Sequence, residues 1–203
     1  MTVRLLVPVV EGHGEAKALP AILYRMAAAI GRPVGLRVNP PIRVKAGSFL
    51  RPDHADFARY VQLAAAKSAQ DAGLVLILLD CEDDCPARLG PDLLRRARAV
   101  RSDADYLVVL AYREFETWFI AAAHSLRGID GFAADAEPPP DAEALRDAKG
   151  WLGARMAPHG YDPVVHQLTM GKKFDLQQAR SVPSFDRFYQ RLGSFLATGK
   201  AAL

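Results

Sequence analysis

The chain has 203 residues, of which 50% are hydrophobic and 24% are charged, and its formal net charge is +3. This composition is that of an ordinary folded domain and argues against disorder, while the small net charge does not decide whether the protein binds nucleic acid. No basic segment precedes a long apolar stretch at the amino terminus, and no run approaches the roughly twenty apolar residues that cross a bilayer. We therefore expect a cytoplasmic protein with no membrane association, built as one domain with an appendage.

The first part of the chain predicts strands alternating with helices. Residues 3–10 form a hydrophobic run that only Arg4 interrupts, which is typical of a strand buried on both faces of a parallel sheet. Residues 15–30 are rich in Ala and Leu with helical periodicity and predict a helix. Residues 35–44 predict a weak strand that lies at an edge or is split, because Asn39-Pro40-Pro41 interrupts it.

The alternation continues through the middle of the chain. A helix is predicted from Asp53 to about Ala72, and the strongest strand pattern covers Leu74 to Asp80. A further helix is predicted from about Pro91 to Arg101, followed by a strand from Tyr106 to Tyr112. This order predicts a layered α/β fold whose mostly parallel sheet of about four strands is flanked by helices.

Beyond the last predicted strand the chain becomes helical and irregular. A helix is predicted to open near Glu114, and the proline-rich stretch from Glu137 to Asp141 is the clearest linker. Aromatic and leucine side chains recur at helical spacing between Phe185 and Leu196, which predicts a helix docked on the core. We therefore divide the chain into an α/β core, residues 1–136, and a linker with a helical extension, residues 137–203.

Acidic side chains follow both of the strongest strand patterns. Glu11 lies in the loop after the first run, and Asp80 and Glu82 follow the run at residues 74–79. In an open parallel sheet the carboxyl ends of buried strands line the binding crevice, and carboxylates are hard oxygen ligands that suit Mg²⁺ or Mn²⁺. Either cluster alone is more simply explained as a cap of the next helix. The two clusters together favour a metal site.

Other common sites have little support in the sequence. Neither the loop at residues 12–17 nor Gly171-Lys172-Lys173 has the spacing of a P-loop, and the loop also lacks the third glycine of a dinucleotide fingerprint. Cys81 and Cys85 have no second cysteine pair or nearby histidine at zinc spacing, so we expect reduced thiols that line the site. His13 could bind metal or shuttle protons, but it more simply fits a loop histidine.

These motifs resemble the Toprim fold, which topoisomerases, primases and the nucleases of the overcoming-lysogenization-defect type share. Its pattern is a Glu-Gly after the first strand and an Asp-x-Asp after a later strand, which appear here as Glu11-Gly12 and Asp80-Cys81-Glu82. The second acid is therefore Glu where the pattern prefers Asp. Glu15 matches the second acid of the nuclease branch, and the segment from Arg113 to Trp118 resembles a motif of the bacterial Toprim-like group known as domain of unknown function 4276.

The resemblance implies a metal-dependent phosphodiester hydrolase. Two metal ions about 3.5 to 4 Å apart can stabilise both the attacking and the leaving oxygen of a phosphodiester, and such a site needs several carboxylates. The expected ligands are Glu11, Asp80 and Glu82 for a first ion, Glu15 and Glu116 for a second, and Asp83 and Asp84 as alternates. Glu116 fits equally well as a surface carboxylate that stabilises the first turn of a helix.

The nuclease branch also implies a cation at the scissile phosphate. Lys172 and Lys173 are the candidates, although both also fit ordinary surface lysines. Four arginines could hold a phosphate backbone or could simply form a solvated helix face: Arg95, Arg96, Arg98 and Arg101. Trp118 and Phe119 could stack on bases, but their helical spacing predicts core packing first.

We therefore expect a Mg²⁺- or Mn²⁺-dependent nuclease whose substrate is nucleic acid, most simply DNA. The resemblance further implies a role in defence against mobile DNA beside an ATPase partner protein. A first alternative is a non-catalytic Toprim-like module that binds metal, nucleotide or protein, which Glu82 in place of Asp favours. A second is a receiver-like signalling domain, but the chain offers Glu11-Gly12 and Ala111-Tyr112 where that domain needs paired acids and a hydroxyl residue.

Overall fold

The computed structural model describes residues 2–32, 34–51, 54–71 and 73–201. Its centre is a parallel sheet in which β1 pairs with β4 on one side and with both β2 and β3 on the other, while β5 pairs with β4. The strands are β1 (Val3–Val10), β2 (Gly35–Val38), β3 (Ile42–Arg43), β4 (Leu74–Asp80) and β5 (Asp105–Ala111). The α/β fold with a parallel sheet predicted from the sequence is confirmed, and the interrupted strand is indeed split in two.

Helices cover both faces of this sheet. They are α1 (His13–Ile30), α2 (Ala46–Phe49), α3 (Ala55–Ser68), α4 (Pro86–Val100), α5 (Thr117–Ala121), α6 (Ala123–Leu126), α7 (Ala148–Ala154), α8 (Pro163–Lys173), α9 (Leu176–Ala179) and α10 (Pro183–Thr198), with 3₁₀ turns at Ala69–Asp71, Ile129–Gly131 and Ala142–Ala144. Helices α2, α3 and α4 pack on one face, and α1 packs with the carboxyl-terminal helices on the other. None of the helices in the described part of the chain combines the length and apolarity needed to cross a membrane.

The two faces of the sheet explain the continuous hydrophobic runs. Successive side chains of a strand point to opposite faces. In β1, Leu6 and Val10 join the core beneath α1, whereas Leu5, Val7 and Val9 join the core beneath α3. Both sets are buried, so residues 5–10 of the strand are all nonpolar, whereas Arg4 lies at the less buried start of the strand.

Several predicted boundaries differ from the structure. The helix predicted from Pro91 begins at Pro86, because that proline occupies the first turn, where its missing N–H is not needed, and Pro91 lies inside the helix. The helix predicted to open near Glu114 begins at Thr117. The predicted helix start at Asp53 lies outside the described residues. The predicted terminal helix is α10, and its aromatic side chains are buried in the core as expected.

The connections of β1 place its carboxyl end beside that of β4. Helix α1 leads from β1 to β2 over one face of the sheet, and α3 leads to β4 over the other face. The chain thus leaves β1 towards one side and returns on the opposite side. A crevice opens at such a topological switch point, outside the carboxyl ends of the two strands. The fold therefore brings Glu11 and Asp80 to the same edge of the sheet, at its topological switch point.

Helix α8 packs closely against the first turn of α1, and Gly14 makes this approach possible. A Cβ atom at Gly14 would overlap the Oε1 atom of Gln167 and would lie 2.5 Å from the carbonyl oxygen of Pro163. Because the carbonyl oxygen belongs to the backbone, the clash is relieved only if α8 moves.

We expect Gly14→Ala to lower the free energy of unfolding by about 1 to 3 kcal/mol, the usual cost of overpacking. Gly193→Ala is the matched control, since Gly193 lies in α10 and a Cβ there meets only Ile30, at 3.8 Å. Alanine should stabilise that helix by about 0.5 to 1 kcal/mol. Urea denaturation followed by circular dichroism measures both, and equal effects of the two substitutions would contradict the close packing of α1 on α8.

Candidate functional site

Carboxyl groups gather where three neighbouring strands end. Glu11 directly follows β1, Asp80 is the last residue of β4, and Glu114 and Glu116 lie in the loop after β5. Parallel strands that are neighbours in a sheet present their carboxyl ends at the same edge, so these side chains meet. Glu116 is fully buried, and the side chain of Asp80 is only 10% exposed.

An ammonium group from the carboxyl-terminal segment lies among these acids. The Nζ atom of Lys149, in α7, is 2.7 Å from Oε2 of Glu114, 3.2 Å from Oε2 of Glu116 and 3.8 Å from Oδ2 of Asp80. Glu114 also accepts a hydrogen bond of 2.7 Å from the backbone N–H of Ala148, in the first turn of the same helix. The loop after β5 is thereby fixed to α7, and Lys149 is held at the strand ends.

Glu116 is held from the other side by two neutral side chains. Its Oε1 atom accepts hydrogen bonds from the hydroxyl of Tyr161, at 3.0 Å, and from Nε2 of Gln167, at 2.9 Å. Its Oε2 atom is buried and makes no hydrogen bond in the described structure, since its approach to Lys149 is an ion pair without hydrogen-bond geometry. One buried carboxylate oxygen therefore has only an electrostatic partner.

Two further acids are fixed by backbone donors. The N–H of Phe115 donates to Oδ1 of Asp80 at 2.7 Å, and the N–H of Gly12 donates to Oε2 of Glu15 at 2.6 Å. Glu15 is the third residue of α1, so it caps the helix in the manner of a capping box. The sequence suggested that acids near the strand ends cap the next helix, and Glu15 does so. The same side chain also interacts with the other acids.

These acids raise each other's affinity for protons. Burial raises the pKa of Asp80 well above its usual value, and the charges of Glu15 and Glu116 raise it further, while Lys149 lowers it. Burial also raises the pKa of Glu15, to which the charges of Glu116 and Glu11 add. For Glu11, burial and the charge of Glu82 raise the pKa. Ionising all of these groups together is thus unfavourable in the folded protein.

Lys149 alone offsets this charge within the cluster. Burial by itself would lower its pKa, but Glu116, Glu114 and Asp80 outweigh burial and raise it. Its ammonium interacts with each of the acids that surround it: Glu11, Glu15, Asp80, Glu114 and Glu116. We call these five acids and Lys149 the carboxylate cluster. Its negative charge exceeds its positive charge when the acids are ionised.

The chemistry of the carboxylate cluster suits a divalent cation, but Lys149 now takes part of that role. Carboxylate oxygens are the donors that Mg²⁺ and Mn²⁺ prefer. The unbonded Oε2 of Glu116 and the raised pKa values of Glu11, Glu15 and Asp80 show that the cluster lacks positive charge. Among the described residues, no three His, Cys, Asp or Glu side chains are spaced to hold a metal ion as they stand. The donor types therefore fit, and metal binding would require the side chains to rearrange around Lys149.

The structure brings together four of the acids expected from the sequence: Glu11, Glu15, Asp80 and Glu116. Glu82 is exposed at the rim of the carboxylate cluster, and its backbone lies in the left-handed region at φ 49°. Its negative charge helps to raise the pKa of Glu11. Lys172 is exposed in the last turn of α8, and in the described part of the chain the ammonium that contacts the acids is that of Lys149. The roles of Glu82 and Lys172 stay predictions.

Four residues of the site were not predicted from the sequence: Glu114, Lys149, Tyr161 and Gln167. Glu114 lies in the Arg113–Trp118 motif, so the motif was a usable signal. The other three lie in the irregular segment after residue 137, where neither periodicity nor a motif marks them. Asp83, an alternate ligand in the sequence analysis, pairs instead with Arg113 and Arg146 at the surface.

Residues 10–193 match the model of one protein family, described as Domain of unknown function (DUF4276). The chain belongs to this family. The DUF4276 match runs from the last residue of β1 into α10, and therefore includes Glu11, Asp80 and Lys149 alike. No curated protein and no solved structure matches the chain. The resemblance to Toprim nucleases accordingly rests on the motifs alone.

Proposed function

We propose that this DUF4276 protein is a Mg²⁺- or Mn²⁺-dependent phosphodiester hydrolase that cleaves nucleic acid in the cytoplasm. The observation that carries the proposal is the carboxylate cluster, in which four acids at the ends of three adjacent parallel strands, together with Glu15 in the first turn of α1, surround one ammonium. A bound divalent cation would balance the surplus negative charge and stabilise the charge that develops on the attacking and leaving oxygens.

Each residue of the cluster has a definite part in this proposal. Glu11, Asp80 and Glu116 would hold the cation, with Glu15 in reach of a second ion and Glu82 at the rim. Tyr161 and Gln167 orient the carboxylate of Glu116 through its Oε1 atom. Lys149 would contact a phosphate oxygen of the substrate, the role that the sequence suggested for Lys172.

The wider biological context rests on the family resemblance. DNA as the substrate, an ATPase partner protein and a role in defence against mobile DNA are parts of the proposal that the Toprim-like motifs suggest. They concern the same strand-end acids, because the motifs that suggest them contain Glu11, Asp80 and Glu116.

A cleavage assay tests the proposed activity directly. The purified protein is incubated with supercoiled plasmid, linear duplex, single-stranded DNA or RNA, each with Mg²⁺, with Mn²⁺ or with EDTA. Cleavage that depends on the added cation supports the proposal and identifies the substrate. The absence of cleavage of every substrate, by a protein that binds either ion, would reject a hydrolase acting alone.

A non-catalytic binding module is the second candidate, and one observation favours it. Lys149 already lies among the acids, and the described carboxylates are not spaced to hold a metal without rearrangement. Such a module would bind a cation, nucleotide or protein at the same cluster without cleaving a bond. Metal binding without cleavage would select this candidate.

We expect millimolar Mg²⁺ or Mn²⁺ to raise the melting temperature of the wild type, because an ion that binds only the folded state stabilises it by mass action. Glu11→Gln should gain much less, since it lacks one ligand charge. Asp135→Asn is the control, as Asp135 is an exposed acid outside the cluster and should respond like the wild type. Differential scanning fluorimetry measures the shifts. Equal shifts in all three proteins would place the ion elsewhere.

A further inference from the structure

A groove of about 290 Å³ runs along the outer edge of β5, between α4 and α10. Residues 106–110 of the strand form its floor. Small residues of α4, including Ala87 and Gly90, line one wall, and Ser184 and Phe188 of α10 line the other. Two helices on opposite faces of the sheet thus leave the edge of the last strand accessible between them.

The backbone of β5 offers hydrogen-bonding groups to this groove. Among the described strands, β5 pairs only with β4. The carbonyl oxygen of Ala111 points towards β4, since it accepts from the N–H of Cys81 at 3.0 Å. Backbone groups of a strand alternate in direction, so those of Tyr106, Val108 and Leu110 point the other way. The carbonyl oxygen of Val108 confirms this direction, because it accepts from Nη1 of Arg191 in the groove, at 3.3 Å.

Most of the outward backbone groups of β5 have no hydrogen-bond partner among the described residues. Within the described part of the chain, the only hydrogen bond to the outward groups of β5 is the one from Arg191. Sheet edges with free N–H and C=O groups are templates for another strand, and proteins normally block them with prolines, bulges or charges on the strand. Strand β5 has the sequence DYLVVLA, so after Asp105 it contains no proline and no charged residue.

The groove also carries positive charge without an acidic partner. Arg187 and Arg191 line the same wall, and neither forms an ion pair with an acid among the described residues. Burial and the neighbouring charge of Arg187 both lower the pKa of Arg191, which shows that the pair is close and mutually repulsive. A carboxylate placed between them would form charge-assisted hydrogen bonds, which are stronger than those between neutral groups.

We propose that this groove binds an extended, acidic segment of a partner protein, which adds a parallel or antiparallel strand to the edge of β5. The backbone of the segment would pair with Tyr106, Val108 and Leu110, and its acidic side chains would contact Arg187 and Arg191. Strand addition of this kind takes its affinity from main-chain hydrogen bonds and its specificity from side-chain pockets. A second copy of the chain fits less well, since joining two β5 edges would bring the arginine pairs of both copies together.

The groove lies apart from the carboxylate cluster in its residues and in its chemistry. The residues that line it include no member of the cluster. Binding here therefore neither requires nor implies the proposed hydrolysis, and the two proposals fail independently.

A labelled peptide tests the groove in the full-length protein. The probe is a fluorescein-labelled peptide of alternating valine and glutamate, and fluorescence anisotropy measures its binding. We expect saturable binding that Arg187→Gln combined with Arg191→Gln weakens at least about tenfold, because both charge-assisted hydrogen bonds to the peptide are lost. Arg95→Gln combined with Arg98→Gln is the charge-matched control on α4 and should bind as the wild type does, because both arginines are exposed and neither lines the groove.

A second variant tests the shape of the groove and leaves its charge unchanged. A Cβ at Gly90 meets only Leu110, at 3.8 Å, so Gly90→Leu should fold normally and project its side chain into the groove. It should weaken peptide binding at least about tenfold. A control peptide with lysine in place of glutamate, and one with methylated backbone nitrogens, should both bind much more weakly.

Four results would overturn the proposal. One is the absence of peptide binding up to about 1 mM, the weak end of specific recognition. Another is equal binding of the glutamate and lysine peptides. A third is displacement of the peptide by a single-stranded oligonucleotide whose own binding is lost in Gly90→Leu, which would assign the groove to nucleic acid. A fourth is a dimer, seen by light scattering, that Gly90→Leu dissociates, which would assign it to a second copy.

Discussion

Replacing Lys149 by Met is expected to lower the free energy of unfolding by about 2 to 3 kcal/mol at pH 8, and by much less near pH 5. Removing one partner of a fully buried ion pair typically costs about 3 to 5 kcal/mol, because the other charge stays buried and unpaired. The side chain of Lys149 is 41% exposed, so solvent screening reduces that cost. Methionine keeps most of the apolar stem, so the loss reports the charge.

The pH dependence follows from the acids around Lys149. The pKa values of Glu11, Glu15 and Asp80 are raised in the folded protein, so folding is favoured when these groups are protonated and loses stability as the pH rises through and above their ordinary values. The raised pKa of Lys149 means that its stabilising charge is fully present below 10.5, the ordinary value for lysine. Between pH 5 and pH 8 the acids therefore gain charge while Lys149 stays charged, and its removal costs most at pH 8.

Lys172→Met is the matched control, because Lys172 is exposed and lies in the last turn of α8. A surface substitution of this kind changes stability by no more than about 0.5 kcal/mol at either pH. Guanidinium denaturation at the two pH values, in metal-free buffer, measures the free energies of unfolding. A loss in Lys149→Met that is equal at pH 5 and pH 8 would mean that Lys149 stabilises the fold by packing and not by charge.

The same variant separates a cation site from a self-sufficient ion-pair cluster. If a divalent ion binds the acids that Lys149 now contacts, removal of the ammonium leaves more negative charge to attract it. Mg²⁺ should then raise the melting temperature of Lys149→Met by more than it raises that of the wild type. An equal or smaller shift would indicate that Lys149 helps to organise the ligands and does not compete with the ion.

Asp80→Asn is expected to reduce metal-dependent cleavage by about 100-fold or more while the protein stays folded. The change removes a ligand charge at the end of β4. Bound metal ions stabilise the transition state by several kcal/mol. Because a loss of about 1.4 kcal/mol lowers the rate about tenfold, a weakened metal site reduces cleavage strongly. Asparagine keeps an oxygen that can accept the hydrogen bond from the N–H of Phe115, so the loop after β5 should hold its position.

Stability should move in the opposite direction from activity. Because the folded-state pKa of Asp80 is raised, its ionisation costs stability as the pH rises above 3.8, the ordinary value for aspartate, and asparagine removes that cost. Asp80→Asn should therefore be at least as stable as the wild type at pH 8 without metal. A variant that loses both activity and stability would indicate that Asp80 serves the fold first.

Asp83→Asn is the control for this experiment. Asp83 lies three residues further along, and its side chain is 79% exposed in surface pairs with Arg113 and Arg146. Exposed pairs of this kind contribute about 0 to 1 kcal/mol. Asp83→Asn should retain both cleavage and metal binding, and isothermal titration calorimetry can measure the binding beside the cleavage rate. A loss as large as that of Asp80→Asn would move the site outwards, to the rim.

The sequence alone determined the fold class and the position of Glu11 and Asp80. The buried positions of a strand that is covered on both faces are apolar, so β1 after Arg4 and β4 before Asp80 appear as continuous hydrophobic runs. The first polar residue after such a run marks the end of the strand. The acids at both strand ends were therefore visible without a structure, and so was the split of the strand at Asn39-Pro40-Pro41, because proline cannot donate to the ladder.

Only the tertiary structure decided which cation faces those acids. Lys149 lies in a seven-residue helix. Tyr161 lies in the loop before α8 and Gln167 in the middle of α8, and this segment has no strong periodicity. Hydrophobic patterns report how a segment buries its own face, but not which distant segment it packs against. The contact between α1 and α8, which Gly14 permits, carries Gln167 to Glu116, and the hydrogen bond from Ala148 to Glu114 carries Lys149 to the strand ends. These contacts join residues more than 30 positions apart, so no local pattern could encode them.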